Sequence, residues 1–439
     1  MISRRTFALA AATAASSARV RGANDRIGVG YIGVGNRGQQ VLDSFLKQPD
    51  QVTAALCDLK PAYLDIAATK AGNRPATMKD YRHLLEMKEV DAVVIATPDH
   101  WHAIQMIAAC KAGKDVYVEK PFSLTVVEGR RMVEVAAETR RVVQVGTQRR
   151  SEAALREAAA FVREGGIGKV TVARAFHIRN EWPMGIGKLA DGPPPDPEEW
   201  DAWLGPAPKV PYNPNRTYYR FRWFWDYSGG QMTNFGTHYV DMMRWCCGKE
   251  YPKAVTALGG RFAIDDNREI PDTLKAIWDY GDLLMTFSQF NANAAQPTAR
   301  RGEIEIRGTK GTVYLNESSW EAVAETPAAE PVAVRAPSLP GTPRPAAVKG
   351  SPAIEPRSGS GRDGTDAHVR NFLDCVKSRG RCNADPLIGH VSTATTIIGN
   401  IAYRVRALLE WDGAAERFTN NAAANERLHY RYRAPYTLG

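Results

Sequence analysis

Over the first third of the chain, short apolar blocks alternate with stretches of helical period. Ile27 to Ile32 predicts a β-strand, Gln39 to Lys47 a helix, and Val52 to Cys57 a second strand ending at Asp58. The alternation continues through helices near Ala62 to Ala71 and Tyr81 to Met87, the strand Ala92 to Ala96, and the helix His102 to Ala112. It closes with the strand Asp115 to Val118, the helix Thr125 to Thr139 and the strand Val142 to Gly146. Strands joined by helices at this spacing predict an α/β domain over residues 26–148, a doubly wound parallel sheet with helices on both faces.

Beyond Gly146 the pattern changes. One more helix, Glu152 to Arg163, precedes longer β-like runs at Lys169 to Ile178, Ala254 to Phe262, Thr273 to Asp279, Leu283 to Asn291, Arg301 to Gly308 and Gly311 to Leu315. Short turns such as Tyr280-Gly281-Asp282 bound these runs, which predicts a large, mostly antiparallel sheet in an α+β domain over residues 149–439. Residues 325–364 are rich in Pro, Ala and Gly without an apolar period and read as an irregular surface segment. Helical pattern resumes at Ala367 to Lys377 and Gly389 to Leu409.

Gly33-Val34-Gly35-Asn36-Arg37-Gly38 lies directly between the first strand and the first helix. In that position the first glycine permits a tight turn, the second lets backbone approach a pyrophosphate, and the third lets helix pack on strand. Asp58 follows roughly 20 residues on, where an acid accepts hydrogen bonds from an adenosine ribose. These residues predict a dinucleotide site. The acid would repel a 2′-phosphate, which favours NAD over NADP.

With 439 residues and 44% apolar content the chain can fill two cores. Residues 1–25 carry Arg4 and Arg5, then an Ala/Leu run, then small residues, the order of a twin-arginine-type signal peptide. Export to the periplasm follows as an expectation. No other stretch reaches the ~18 apolar residues of a membrane span, so no membrane partner is expected. The net charge of +9 is interspersed with acids rather than gathered in a stripe, which argues against nucleic acid as a partner. Six cysteines show no zinc spacing; free, mostly buried thiols are expected, with a Cys375–Cys382 bridge left open.

Thr97-Pro98-Asp99-His100-Trp101-His102, Glu119-Lys120-Pro121 and Gly146-Thr147-Gln148-Arg149-Arg150 each follow a strand of the first domain. In the second domain, Gly229-Gly230-Gln231-Met232-Thr233-Asn234-Phe235-Gly236-Thr237-His238, followed by Asp241, completes a set that resembles the Gfo/Idh/MocA oxidoreductases. The resemblance implies a Rossmann domain followed by a sheet domain, with NAD tightly held. Its cofactor contacts would be Gly33, Gly35, Asn36, Arg37, Gly38, Asp58, Thr97, Pro98, His100, His102, Glu119, Lys120, Pro121 and Gln148. It further implies Lys120 as the positive group beside the reacting hydroxyl and His238 as the base. Asn234 stands where most dehydrogenases of the family carry Asp, and would orient the hydroxyl. Its missing charge weakens simple dehydrogenase chemistry or marks a different reaction. A homodimer or homotetramer packed through the second-domain sheet is also implied.

Arg179, Trp182 and Tyr219 join Asn234 and His238 as candidate substrate contacts. They lie in a stretch where Trp200, Trp203, Tyr218, Trp223, Trp225 and Tyr227 are also dense and Arg220 and Arg222 are available for hydroxyls or a carboxylate. The two histidines at 100 and 102 border the cofactor pocket rather than hold a metal, and no metal is expected. The leading expectation is an NAD-dependent oxidoreductase acting on a secondary hydroxyl of a sugar or polyol. Export and Asn234 keep open a redox-neutral glycosidase, in which transient oxidation permits elimination of the glycosidic bond. A non-catalytic sugar-binding protein is the third reading, disfavoured because the glycine turn, Lys120 and His238 are all intact.

Overall fold

The computed structural model describes residues 26–297, 302–329 and 350–439. Residues 1–25, read from sequence as a signal segment, Arg301 and residues 330–349 of the irregular segment lie outside the described residues.

Strands β1 (Ile27–Ile32), β2 (Gln51–Cys57), β3 (Ala76–Met78), β4 (Ala92–Ile95), β5 (Asp115–Val118) and β6 (Val143–Val145) form a parallel sheet in the order β3-β2-β1-β4-β5-β6. Helices α1 (Asn36–Leu46), α2 (Pro61–Ala71), α3 (Tyr81–Glu86), α4 (Asp99–Lys111) and α5 (Val126–Thr139) fill the crossovers. The order reverses between β1 and β4, which opens a crevice at the carboxyl ends of the strands. The fully buried runs of β1, β4 and β5 explain why these strands read as continuous apolar blocks. Thr125 begins α5 with a capping box closed by Glu128. The three-residue β3, Ala76 and Thr77 exposed, is too short to carry a pattern that sequence could expose.

The second domain contains α6 (Ala153–Arg163), β7 (Val170–Ile178), α7 (Pro197–Leu204), α8 (Gly230–Asn234), α9 (Gly236–Cys247), β8 (Ala254–Gly260), β9 (Thr273–Asp279) and β10 (Leu284–Phe290). It continues through β11 (Ile304–Gly308), β12 (Gly311–Leu315), β13 (Ser319–Ala324), β14 (Arg357–Ser360), α10 (Thr365–Ser378), α11 (Pro386–Val405), β15 (Leu409–Asp412), β16 (Arg417–Phe418) and α12 (Ala422–Asn425). The sheet order is β14-β13-β12-β11-β7-β10-β9-β8-β15-β16. Among the described residues only β7 and β10 pair in parallel within this sheet. Val240, Met243, Trp278, Phe287 and Ile398 anchor the core between the sheet and the helices α6, α9 and α11. Alternation along β7 places Ala173, Ala175 and His177 on the buried side.

Three expectations need correction. The segment 325–364 is not irregular throughout, because Arg357–Ser360 adds the edge strand β14 to β13 by main-chain pairing that its polar side chains do not announce. The last long helix stops at Val405, where Arg406 turns left-handed at φ +52°, so Leu409 belongs to a strand paired with Val255 rather than to the helix. The domain division at 148/149 is crossed by α10: Val369, Phe372, Leu373 and Val376 pack with Val41, Phe45 and Tyr117 in the core of the first domain. All six cysteines are unbridged.

Residues 179–229, between β7 and α8, form a strap across the first domain. Trp200, Trp203, Leu204, Trp223, Phe224 and Tyr227 make its own apolar core, against which Leu59 of the first domain packs. Most of the aromatics dense in the sequence are therefore used to build the strap. The C-terminal tail ties it to the first domain: Arg433 donates to Asp201 of the strap at 2.5 Å, and Tyr436 meets Trp101 of α4 edge-on at 5.5 Å.

Candidate active site

The glycine turn sits at the mouth of the crevice. Gly33 has φ +86°, and a Cβ there would meet the Thr97 amide at 2.9 Å, so this turn and the end of β4 touch. A Cβ on Gly38 would lie 2.1 Å from the Gly33 carbonyl oxygen, so only glycine lets α1 start here. The α1 amides begin at Gly35 without a side-chain cap, leaving donors for phosphate oxygens. Asp58 accepts from the amides of Val34 at 2.8 Å and Lys60 at 2.9 Å. Burial raises its pKa against those bonds, and the charge of Glu199 adds to the rise. The Asp58 carboxylate disfavours a 2′-phosphate at this end, while Glu199 is paired with Lys60.

The strap reaches the lip of this crevice. Lys60 Nζ lies 2.5 Å from Glu199 Oε1, and the Tyr218 hydroxyl donates to the same carboxylate at 2.8 Å. The Tyr218 ring meets Tyr63 edge-on at 6.2 Å, and Tyr63 stands 3.6 Å from the Cβ position of Gly35. None of Lys60, Tyr63 and Tyr218 was singled out for this role by the sequence, since the contact depends on a strap about 140 residues downstream.

Several residues expected to touch the cofactor are engaged with the protein. Arg37 Nε donates to Glu119 Oε1 at 2.7 Å, so these two tie the glycine turn to the end of β5. His100 is fully buried among Trp101, Trp203 and Tyr227, with Nε2 3.1 Å from the Trp203 carbonyl. Burial lowers its pKa to about 3. It is a core histidine under the strap, which corrects its expected place at the cofactor. The ring nitrogens of His102 lie 2.8 Å from the Pro121 carbonyl and 2.9 Å from the Thr97 carbonyl, joining the turns after β5 and β4. The Thr97 hydroxyl donates to Gln105 at 2.7 Å, and Pro98 is the N-cap of α4. Asn36 is exposed and accepts from Gln40 at 3.2 Å. Gln148 is buried with Oε1 lacking a partner, as is the hydroxyl of Thr147.

At the other end of the crevice, Lys120 Nζ donates to Asn234 Oδ1 at 2.8 Å and to the Asn234 carbonyl at 3.1 Å. Asn234 Nδ2 in turn donates to Gln231 Oε1 at 3.1 Å. Burial lowers Lys120 to about 8, against the pull of Glu119, and the charges of Arg222 and Arg37 lower it further. His238, one turn beyond Asn234 on the next helix, is buried with Nδ1 unpartnered. Burial and then the charges of Lys120 and Arg149 push its pKa well below the usual range, so it is neutral. Asp241 faces away from these groups: it is held by Arg150 at 2.8 Å and by the Ser392 hydroxyl at 2.7 Å, fixing α9 to the turn after β6 and to α11.

Phe235 floors the substrate side. His177 stacks on its ring at 4.4 Å, Arg179 covers it at 5.3 Å and Lys120 Nζ lies 6.0 Å from its centre. His177 and Phe235 were not singled out in the sequence; the inward register of β7 was the available signal for His177. Arg222 lies 4.0 Å over the ring of Tyr219. Trp182 is 58% exposed, and no described contact brings it to Lys120. The orphaned atoms of Thr147, Gln148 and His238, with the uncapped amides at the start of α1, fit a nicotinamide dinucleotide.

Residues 27–147 match the oxidoreductase family with an NAD-binding Rossmann fold, and residues 155–287 and 360–438 match that family's C-terminal alpha/beta domain. The chain belongs to the Gfo/Idh/MocA oxidoreductase family. A glycosyl hydrolase family 109 protein of Shewanella sp. strain W3-18-1 is 33% identical over 172 residues, 36% of this chain and 37% of the relative. A second, from Saccharopolyspora erythraea, is 38% identical over 127 residues, 27% of this chain and 28% of the relative. The match thus spans 37% of the length of the first of these curated relatives and 28% of the second. The solved structure of a levoglucosan dehydrogenase in complex with NADH and levoglucosan covers 88% of this chain and 99% of its own, at 20% identity and a TM-score of 0.63. An oxidoreductase domain protein from Kribbella flavida covers the same shares at 21% identity and a TM-score of 0.65. At these identities the Gfo/Idh/MocA structures establish the shared fold.

Proposed function

We propose that this protein oxidises a secondary hydroxyl of a sugar or polyol with NAD. The Lys120–Asn234 contact beside His238, at the nicotinamide end of the crevice, carries this reading. NAD, when bound, supplies the hydride acceptor. The chain must then take the hydroxyl proton, and a group that titrates near the working pH does this best. Lys120 at about 8 fits that task, and His238, held neutral by its cationic neighbours, does not. In this reading Lys120 receives the proton and the neutral His238 fixes the hydroxyl by a hydrogen bond, which redistributes the roles expected from the sequence. Asn234 makes this possible, because an Asp in its place would hold Lys120 as an ammonium.

A second reading, redox-neutral cleavage of a glycoside, is favoured by the names of the curated relatives over their matched third. The strap supports either reading with retained nucleotide, and the pattern of residues 1–25 supports an exported enzyme that keeps its cofactor. The test is to purify the mature protein and record the reduced-nicotinamide absorbance band. Panels of free sugars and aryl glycosides are then added. Stoichiometric reduction with free sugars is the expected result. Aglycone release without net reduction moves the assignment to the second reading, and no bindable nucleotide overturns both.

A further inference from the structure

Many arginines of the second domain are matched to carboxylates. Arg150 pairs with Asp241 at 2.8 Å, Arg174 with Glu305 at 2.7 Å, Arg216 with Glu269 at 3.0 Å and Arg268 with Asp266 at 2.9 Å. Arg179 and Arg222 have no ion pair among the described residues, and both belong to the cleft wall. Arg179 lies at the exposed rim on the Phe235 ring, the same ring that Lys120 and His177 face. Arg222 is half-buried over Tyr219, its Nε has no hydrogen-bond partner, and its charge acts on Lys120, Asp99 and His177.

The nearby acids Glu181 and Asp99 feel the charges of Arg179 and Arg222 but make no direct ion pair with them. Asp99 is buried, accepts from the Ser228 hydroxyl at 2.5 Å, and is pushed toward its neutral form by burial. Glu181 is bound by Arg268 at 3.0 Å. A guanidinium over an aromatic ring and outside any ion pair still has N–H donors that can grip a carboxylate with two parallel bonds. Beside them His177, only 3% exposed, has Nε2 without a partner and is available to a sugar hydroxyl.

We propose that the substrate is an acidic sugar, its carboxylate held by Arg179 and Arg222 while a ring hydroxyl meets Lys120 and His177 takes a second hydroxyl. This deepens the sugar-oxidoreductase reading and rests on it for the hydroxyl that meets Lys120. A neutral sugar would leave both guanidinium groups without a carboxylate partner among the described residues. The anion could also be the nucleotide's own pyrophosphate, so the experiment separates the two sources.

The protein carrying its nucleotide is titrated with a panel of hexuronates, including D-glucuronate and D-galacturonate, and with their methyl esters, reading tryptophan fluorescence. The acids bind more tightly than the esters by on the order of tenfold or more. Arg179→Gln and Arg222→Gln each bring the ratio toward one, and added salt shrinks it. Equal binding of acid and ester throughout the panel overturns the proposal. So does loss of nucleotide that matches the loss of acid binding in the arginine variants, which assigns the arginines to the pyrophosphate. Preferential binding of an acid without any hydride transfer leaves this inference standing and removes the oxidoreductase reading beneath it.

Discussion

Asn234 takes the Lys120 ammonium twice, at 2.8 Å through its side-chain oxygen and at 3.1 Å through its main-chain oxygen. The main-chain bond is indifferent to what stands at 234, so the position of Lys120 survives substitution there. Its proton affinity does not.

The pH profile of oxidation follows from that distinction. Only unprotonated Lys120 can take the hydroxyl proton, so activity is low below its pKa and rises through about 8 to a plateau. Asn234→Asp places a carboxylate on Nζ, favours the ammonium and moves the rising limb up by about one pH unit or more. Activity of that variant at neutral pH falls, and recovers at high pH. A wild-type midpoint below 7, or a limb that the substitution leaves in place, would transfer the proton to another group.

The strap predicts slow release of nucleotide. Its grip at Lys60 and Tyr218 combines a partly exposed ion pair, worth about 0–1 kcal/mol, with an edge-on aromatic pair, worth about 0.5–1.5 kcal/mol. Together these amount to roughly a tenfold effect on retention. Lys60→Ala with Tyr218→Ala is therefore expected to speed nucleotide dissociation about tenfold in a stopped-flow displacement experiment. An unchanged rate would show that the strap does not gate the exit.

Gly38→Ala drives a methyl group onto the Gly33 carbonyl, 2.1 Å away, and the backbone on both sides must move. The expected outcome is loss of nucleotide binding by equilibrium dialysis with sheet content retained by circular dichroism. Gly72→Ala is the comparison for helix-end strain alone, because nothing stands near its Cβ position, although its φ of +71° costs some stability.

Asp241→Asn leaves Arg150 charged and buried without its partner. Breaking such a pair costs about 3–5 kcal/mol, and the Asp241 side chain is 1% exposed. The denaturant midpoint should fall markedly. A shift well under 1 kcal/mol would mean that water or Ser392 compensates.

The chemistry-bearing turns were legible because each is a local motif: the glycines at 33, 35 and 38 on α1, Lys120 after β5, and Asn234 and His238 one helical turn apart. What the sequence did not disclose is how distant segments close on them. His100 reads as a pocket residue until Trp203 and Tyr227, more than 100 positions later, bury it. Arg37 and Glu119 each read as ligand contacts, yet 82 positions apart they pair with one another. β14 was missed because a polar edge strand of Arg, Ser and Gly joins the sheet by main-chain pairing without an apolar alternation.

The placement of α10 bears on how such a protein can be inherited. Phe372 and Val376 fill the same core as Phe45 and Tyr117, although the whole large sheet from β7 to β14 is translated between them. A crossover that exchanged everything after the Rossmann strands for the corresponding part of a cousin would transplant a piece of the nucleotide domain's own interior. A recombinant of that kind keeps its nucleotide domain packed only where the incoming helix matches that face.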